Sequence, residues 1–149
     1  MRLLNCTLLA AASVLAASAA MAQTGPSATT AGTKVSRGGY TAGGTAGSAA
    51  AGGTSASTIG LGATNGRSSA VGGAASAAAV NGRAISSTRI RENPQMLGAQ
   101  SRARAWDGGT WSQSMTNTRV RHNGDLSSWS KSMAHEPGSK PAMSRTRVR

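Results

Sequence analysis

A seven-residue segment near the C-terminus occurs twice, and its internal alternation constrains the conformation of the chain there. Met115-Thr-Asn-Thr-Arg-Val-Arg121 returns as Met143-Ser-Arg-Thr-Arg-Val-Arg149, and a weaker copy, Ile85-Ser-Ser-Thr-Arg-Ile-Arg91, lies upstream. In an extended strand, both arginines of an Arg-x-Arg pair project from one face and the residue between them projects from the other. The repeat therefore predicts short strands that display paired arginines.

A second repeat, Trp111-Ser-Gln-Ser-Met115 and Trp129-Ser-Lys-Ser-Met133, alternates in the same way. It places Trp and Met on one face and the serines on the other, and Asn123-Gly-Asp125 is typical of a turn. These patterns indicate minor β structure, with strands near 111–121, 126–133 and 143–149. The apolar face of this small sheet is predicted to contain Trp111, Met115, Val120, Trp129, Met133 and Val148.

The rest of the composition argues against a conventional core. Phe is absent, and Leu, Ile and Val number eleven in the 127 residues that follow residue 22. That is roughly 9 %, below the ~20 % under which a strongly charged chain is expected to be disordered. Ordering each residue costs about 1–2 kcal/mol of backbone entropy, which so few large side chains do not offset. The predicted fold class is therefore mostly intrinsically disordered and low-complexity, after a cleaved signal peptide.

Residues 1–22 have the three parts of a secretory signal peptide: positive Arg2, an apolar Leu/Ala-rich run, and Ala20-Met-Ala22 as a cleavage site. Cys6, the sole cysteine, lies inside this leader, so the mature chain is expected to lack disulfides and thiolate metal sites. No second apolar stretch of spanning length follows, so no stable transmembrane segment is expected after cleavage. The expected location is the bacterial periplasm or the exterior.

Residues 23–84 are mostly Gly, Ala, Ser and Thr, which predicts a flexible low-complexity linker. Within it, Asn65-Gly and Asn81-Gly indicate tight turns. The segment 59–85, with small residues interspersed with Ile, Leu and Val, resembles the head repeats of trimeric autotransporter adhesins. That resemblance implies a left-handed β-roll and a trimer, although the C-terminal membrane anchor of the family is missing here.

Residues 85–149 form the basic Trp/Arg repeat region, with net charge +7 between Thr88 and Arg149. The arginine fork binds phosphate or carboxylate in bidentate fashion, and Trp stacks on bases or sugars or settles at a lipid interface. The candidate anion-binding residues are Arg89, Arg91, Arg119, Arg121, Arg145, Arg147 and Arg149. The candidate stacking or interface residues are Trp106, Trp111 and Trp129.

The sequence offers little for catalysis. His122 and His135 have no cysteines or carboxylates at metal-ligand spacing, and no serine stands in a nucleophile-elbow context. No phosphate-binding glycine loop is present either. We therefore expect no catalytic residues, no metal site and no cofactor.

These observations together predict a small exported, non-enzymatic basic protein that associates electrostatically with anionic envelope components or other polyanions. The alternative is a structural or adhesive surface protein whose Gly/Ala-rich repeats form a β-roll. Cross-linking separates the two, because the adhesin hypothesis requires trimers.

Overall fold

The computed structural model describes residues 25–121 and 123–149, so the predicted leader lies outside the described residues. These residues form antiparallel strands that pair with their neighbours in chain order. Sheet A has the order β1-β2-β3-β4, and sheet B has the order β5-β6-β7-β8-β9. The strands are β1 (Ser27–Arg37), β2 (Tyr40–Ala51), β3 (Thr54–Thr64), β4 (Ser69–Ala79), β5 (Arg83–Asn93), β6 (Met96–Asp107), β7 (Thr110–Arg121), β8 (Leu126–His135) and β9 (Ala142–Val148).

Pairs of glycines close three of the hairpins. Gly38–Gly39, Gly52–Gly53 and Gly108–Gly109 have positive φ at both positions. Two successive positive φ values match the twist of the flanking strands, and glycine adopts them without a Cβ penalty. These turns therefore fix the register of β1 with β2, of β2 with β3, and of β6 with β7.

The two sheets stack face to face, and the short segment Val80–Gly82 carries the chain from one to the other. The Val80 N–H donates to the Gly53 carbonyl, and the Asn81 N–H donates to Asp107 Oδ2 at 2.9 Å. In the stack, β2 lies against β7 and β8, and β3 lies against β6 and β7. The fold is thus a two-layer sandwich built from two consecutive meanders.

The sheets approach closely because glycines in sheet A face side chains of sheet B. A Cβ added at Gly60 would lie 2.5 Å from Thr118 Oγ1, and one at Gly62 would lie 2.7 Å from Val120 Cγ2. Real Cβ atoms do not come so near, so the interior has room for little more than Ala, Ser and Thr. Val120, one of the largest fully buried side chains, lies where Gly62 leaves that space.

Buried hydroxyl groups connect the layers where a typical sandwich has aliphatic side chains. Thr45 is hydrogen-bonded to Ser128 at 2.8 Å, and Thr58 to Ser114 at 2.8 Å, both across the sheet interface. Ser114 also donates to the Gly47 carbonyl at 2.9 Å. Each such bond contributes a net ~0.5–1.5 kcal/mol, so the hydroxyls of this core supplement the burial of its alanines.

The prediction that the chain is mostly disordered and low-complexity is wrong. Strands follow one another from Ser27 to Val148, and β structure is not confined to the C-terminal repeats. The prediction counted large apolar side chains as the source of folding energy. This core instead combines small apolar groups with hydroxyls, several of which are hydrogen-bonded in pairs, and the close approach of the sheets shields both from water.

The prediction of a flexible linker at 23–84 is wrong for the same reason, since residues 27–79 form all of sheet A. The β-roll implied for 59–85 is not formed either. This segment instead contains the end of β3, the antiparallel strand β4 and the crossing to β5.

The proposed apolar face was also assigned wrongly, although β7, β8 and β9 overlap the three segments predicted as strands. Val120 is buried between the sheets together with Ser112 and Ser114, whereas Trp111 and Met115 alternate with them and face outward. The reason is steric: the glycine-rich face of sheet A leaves no room for an indole or a thioether. Serine therefore occupies the inside, and the larger residue the outside.

Candidate anion-binding face

The strand register shows which side chains of sheet B project away from sheet A. Ser101 is hydrogen-bonded to Thr88 within the interface between the sheets, and Ser114 is fully buried there. Because side chains alternate along a strand, the residues on either side of these inward-facing positions face outward. Paired residues of antiparallel strands share a face. We call this outward surface of sheet B the basic face. Its cations are Arg83, Arg89, Arg91, Arg102, Arg104, Arg119, Arg121, Lys131, Arg145 and Arg147.

The structure brings six of the seven arginines predicted from the sequence onto this one face. Arg149 follows the last strand and lies outside the sheet. The candidate anion-binding residues chosen from the sequence did not include four cations of this face: Arg83, Arg102, Arg104 and Lys131. The pair Arg102-x-Arg104 carried the same alternation signal as the others, whereas Arg83 and Lys131 are identified only by the register.

The register keeps most of these cations from directly opposing one another. Arg102 lies between Ser87 and Met115, and Arg119 lies between Gly98 and Ser127. The exception among the described strands is Lys131, which lies directly opposite Arg145. Like charges directly opposite each other destabilise a sheet, so this stagger lets the face hold many cations at low cost.

Carboxylates are excluded from the basic face within the described residues. Glu92 follows outward-facing Arg91 on β5 and therefore projects on the other side of the sheet, as Thr88 does. Asp107 is at the end of β6, where it accepts a hydrogen bond from the Asn81 N–H. Asp125 and Glu136 lie in the connections after β7 and β8, where Asp125 is 4.0 Å from exposed Arg121. The positive potential of this face is consequently almost uncompensated.

Aromatic side chains form one row across the basic face. The row consists of successive register partners on β5, β6, β7 and β8: Arg83, Trp106, Trp111 and His135. We call these four residues the aromatic row, although its first member is an arginine. The Arg83 guanidinium lies 5.9 Å from the ring centroid of Trp106, which is 38 % exposed. The rings of Trp111 and His135 are 5.9 Å apart and tilted by 40°.

The third tryptophan, Trp129, lies in a separate row of the same face, between Asn117 and Arg147. All three predicted stacking residues therefore share the surface that carries the cations. Amide side chains also lie there, because Gln100 pairs with Asn117 and Arg104 with Gln113.

An open cleft of about 630 Å³ lies at the opposite end of the face from the aromatic row. Arg119 and Arg121 line one part of it, and the turn between β5 and β6, with Asn93 and Gln95, lines another. Two guanidinium groups and several amides in one concave site can bind a phosphate or carboxylate with several hydrogen bonds.

No protein-family model, curated protein or solved structure matches this chain. Within residues 25–121 and 123–149, there is no helix long and apolar enough to cross a membrane. The same residues contain no cluster of three or more potential metal-ligating side chains.

Proposed function

We propose that the protein is exported and acts without catalysis by binding phosphate-bearing anionic polymers along the basic face. The observation that carries this proposal is the segregation of charge. Ten cations, three tryptophans and no described carboxylate share one surface of sheet B. A uniform cationic sheet with stacking groups fits a linear polyanion better than it fits a small molecule.

Each component of the face has a distinct role in this proposal. The four Arg-x-Arg pairs, on β5, β6, β7 and β9, present guanidinium groups roughly 7 Å apart along a strand, since two residues rise about 6.8 Å. Several phosphates of one polymer can therefore be bound at once. The tryptophans stack on the planar or cyclic units between the phosphates.

The experiment compares two triple variants that lose the same net charge. Arg102→Ser, Arg104→Ser and Arg119→Ser remove cations of the basic face. Arg37→Ser, Arg67→Ser and Lys140→Ser remove cations that lie elsewhere, in β1 and in two connections. Binding is measured by titrating lipopolysaccharide and a single-stranded oligonucleotide against the tryptophan fluorescence, with neutral dextran as the blank.

We expect the first variant to bind about tenfold or more weakly and the second to stay close to the wild type. Equal losses in the two variants would mean that net charge alone drives binding, and the assignment to the basic face would be abandoned. Absence of binding by the wild-type protein to either polymer would reject the function itself.

A further inference from the structure

The outer surface of sheet A is the counterpart of the basic face and has opposite properties. Because Thr45 and Thr58 are bonded to sheet B, the alternate residues of β2 and β3 face outward. A central row consists of Ala31, Ala46, Ile59 and Ala74, which are successive register partners across the four strands. We call this outer surface of sheet A the neutral face.

Charge is almost absent from the neutral face. The charged residues within the strands of sheet A are Lys34 and Arg37. Only Arg37, at the last position of β1, occupies a position that faces outward. An antiparallel sheet that faces water usually alternates apolar inside with polar and charged outside. Apart from Arg37, the four adjacent strands have an outward surface of Ala, Gly, Ser and Thr with the larger Val35, Tyr40, Ile59 and Leu61, and so depart from that pattern.

The neutral face is made of the same residue types that line the interface between the two sheets of this protein. Most of its outward side chains are small, and Ala46 and Ser48 on β2 are only 5 % and 4 % exposed although they project outward. Faces made mostly of small side chains can approach closely and gain dispersion contacts. The interior of the molecule shows that such faces pack sheet against sheet in this sequence.

We propose that the neutral face binds the neutral face of a second copy, so that the protein is a symmetric dimer. Strands of about eleven residues span ~37 Å, and four strands spaced ~4.8 Å apart cover ~19 Å. Two such faces bury ~1,400 Å² in total, within the range of stable interfaces. The same patch is used by both copies, as two-fold symmetry requires.

Electrostatics favours a second copy over other partners. The neutral face offers only Arg37, at the end of β1, to attract an acidic protein, whereas the rest of two such faces is uncharged and meets without repulsion. The two basic faces then point in opposite directions, separated by four layers at ~10 Å spacing, or ~30 Å. That separation exceeds the ~8 Å Debye length at physiological salt, so the cationic surfaces do not drive the copies apart.

Dimerisation would make the particle bivalent. If the basic face binds a polyanion as proposed above, one dimer links two polymer segments and gains avidity from the second contact. The existence of the dimer itself does not depend on that function, and its test uses no polyanion.

Sedimentation equilibrium of the purified protein, from about 1 to about 100 µM at about 0.15 M salt, measures the association. Ala74→Lys and Leu61→Lys place a charge on the neutral face. Ser87→Lys adds the same charge on the basic face and is the matched control. Far-UV circular dichroism checks that each variant keeps its β structure.

We expect a monomer–dimer equilibrium for the wild type and the control, and a dimer at least tenfold weaker for Ala74→Lys and Leu61→Lys. Ala74 is exposed on the edge strand β4, so its replacement does not endanger folding. A monomeric wild type would overturn the proposal, as would dimers or longer polymers unaffected by either lysine. Binding of monomers to uncharged lipid vesicles would assign the neutral face to another partner and would also overturn it.

Discussion

At the scale of single residues, this fold depends on hydroxyl groups in positions where most sandwiches have aliphatic side chains. Some of these hydroxyls are bonded, such as those of Thr45, Ser114 and Ser128. Others, including Ser112 and Ser130, are equally buried and have no partner in the structure. The effect of a hydrogen bond on stability can therefore be measured by comparing bonded and unbonded serines of similar burial in the same core.

Replacing Ser114 by alanine should destabilise the protein by about 1–3 kcal/mol. The change leaves the Thr58 hydroxyl and the Gly47 carbonyl without their buried partner. Ser112→Ala, at a neighbouring position of equal burial, should be neutral or stabilising because it removes an unpaired hydroxyl. Urea unfolding of both variants measures the difference, and equal free energies of unfolding would contradict the role given to the Ser114 bonds.

Glycines that face sheet B set the distance between the layers, and alanine should not be tolerated there. In Gly47→Ala the new methyl group would overlap with Ser130 and Ser132. We expect a loss of about 1–3 kcal/mol in the free energy of unfolding. Gly98→Ala is the control, because its Cβ would meet neighbours no closer than 3.7 Å. Similar stabilities of the two variants would show that the layers can separate to accept the methyl group.

At the scale of strands and turns, the hairpin spacing was the part of the fold that the sequence could have revealed. Turn glycines lie at Gly38, Gly52 and Gly66, fourteen residues apart, and again at Gly124 and Gly138. Strands of eleven or twelve residues between such turns form a regular meander. Sequence reasoning gave most weight to the shorter repeats near the C-terminus and interpreted the glycines as a linker.

The two-residue alternation correctly places the arginine pairs on one face, but it could not show which face is the inside. Hydrophobicity predicted that Trp111 and Met115 would be buried and their intervening serines exposed. Their actual orientation depends on Gly47 and Gly60, which lie more than fifty residues away in the chain and across the interface. A contact of such range leaves no local signal, so the inside and outside of β7 and β8 are settled only by the tertiary structure.

Substitution in a turn should show that the glycines are required for their backbone conformation. Gly39 has φ of 80° and open space around its missing Cβ, so Gly39→Ala tests strain without a clash. The left-handed conformation costs alanine about 1–2 kcal/mol. Gly39→Asn should lose less, since asparagine tolerates this region. Thermal unfolding measures both, and an alanine variant as stable as asparagine would contradict the assignment.

At the scale of the whole molecule, the two sheets divide the chemistry of the chain between them. Sheet A has an outward surface with almost no charge, and sheet B displays ten of the sixteen Lys and Arg residues. A net charge of +12 spread evenly would attract any anion weakly from all sides. Concentrated on one face, the same charge can neutralise several phosphates of a single polymer at once.

The salt dependence of binding measures how many phosphates that face neutralises. For single-stranded DNA, the logarithm of the affinity falls with the logarithm of the salt concentration by about 0.7 for each phosphate contact. Removing Arg102, Arg104 and Arg119 together should therefore reduce the slope by about 2. The variant lacking Arg37, Arg67 and Lys140 should keep the slope of the wild type. Fluorescence titrations at several salt concentrations supply the slopes, and an unchanged slope in the first variant would mean that these three arginines do not contact phosphate.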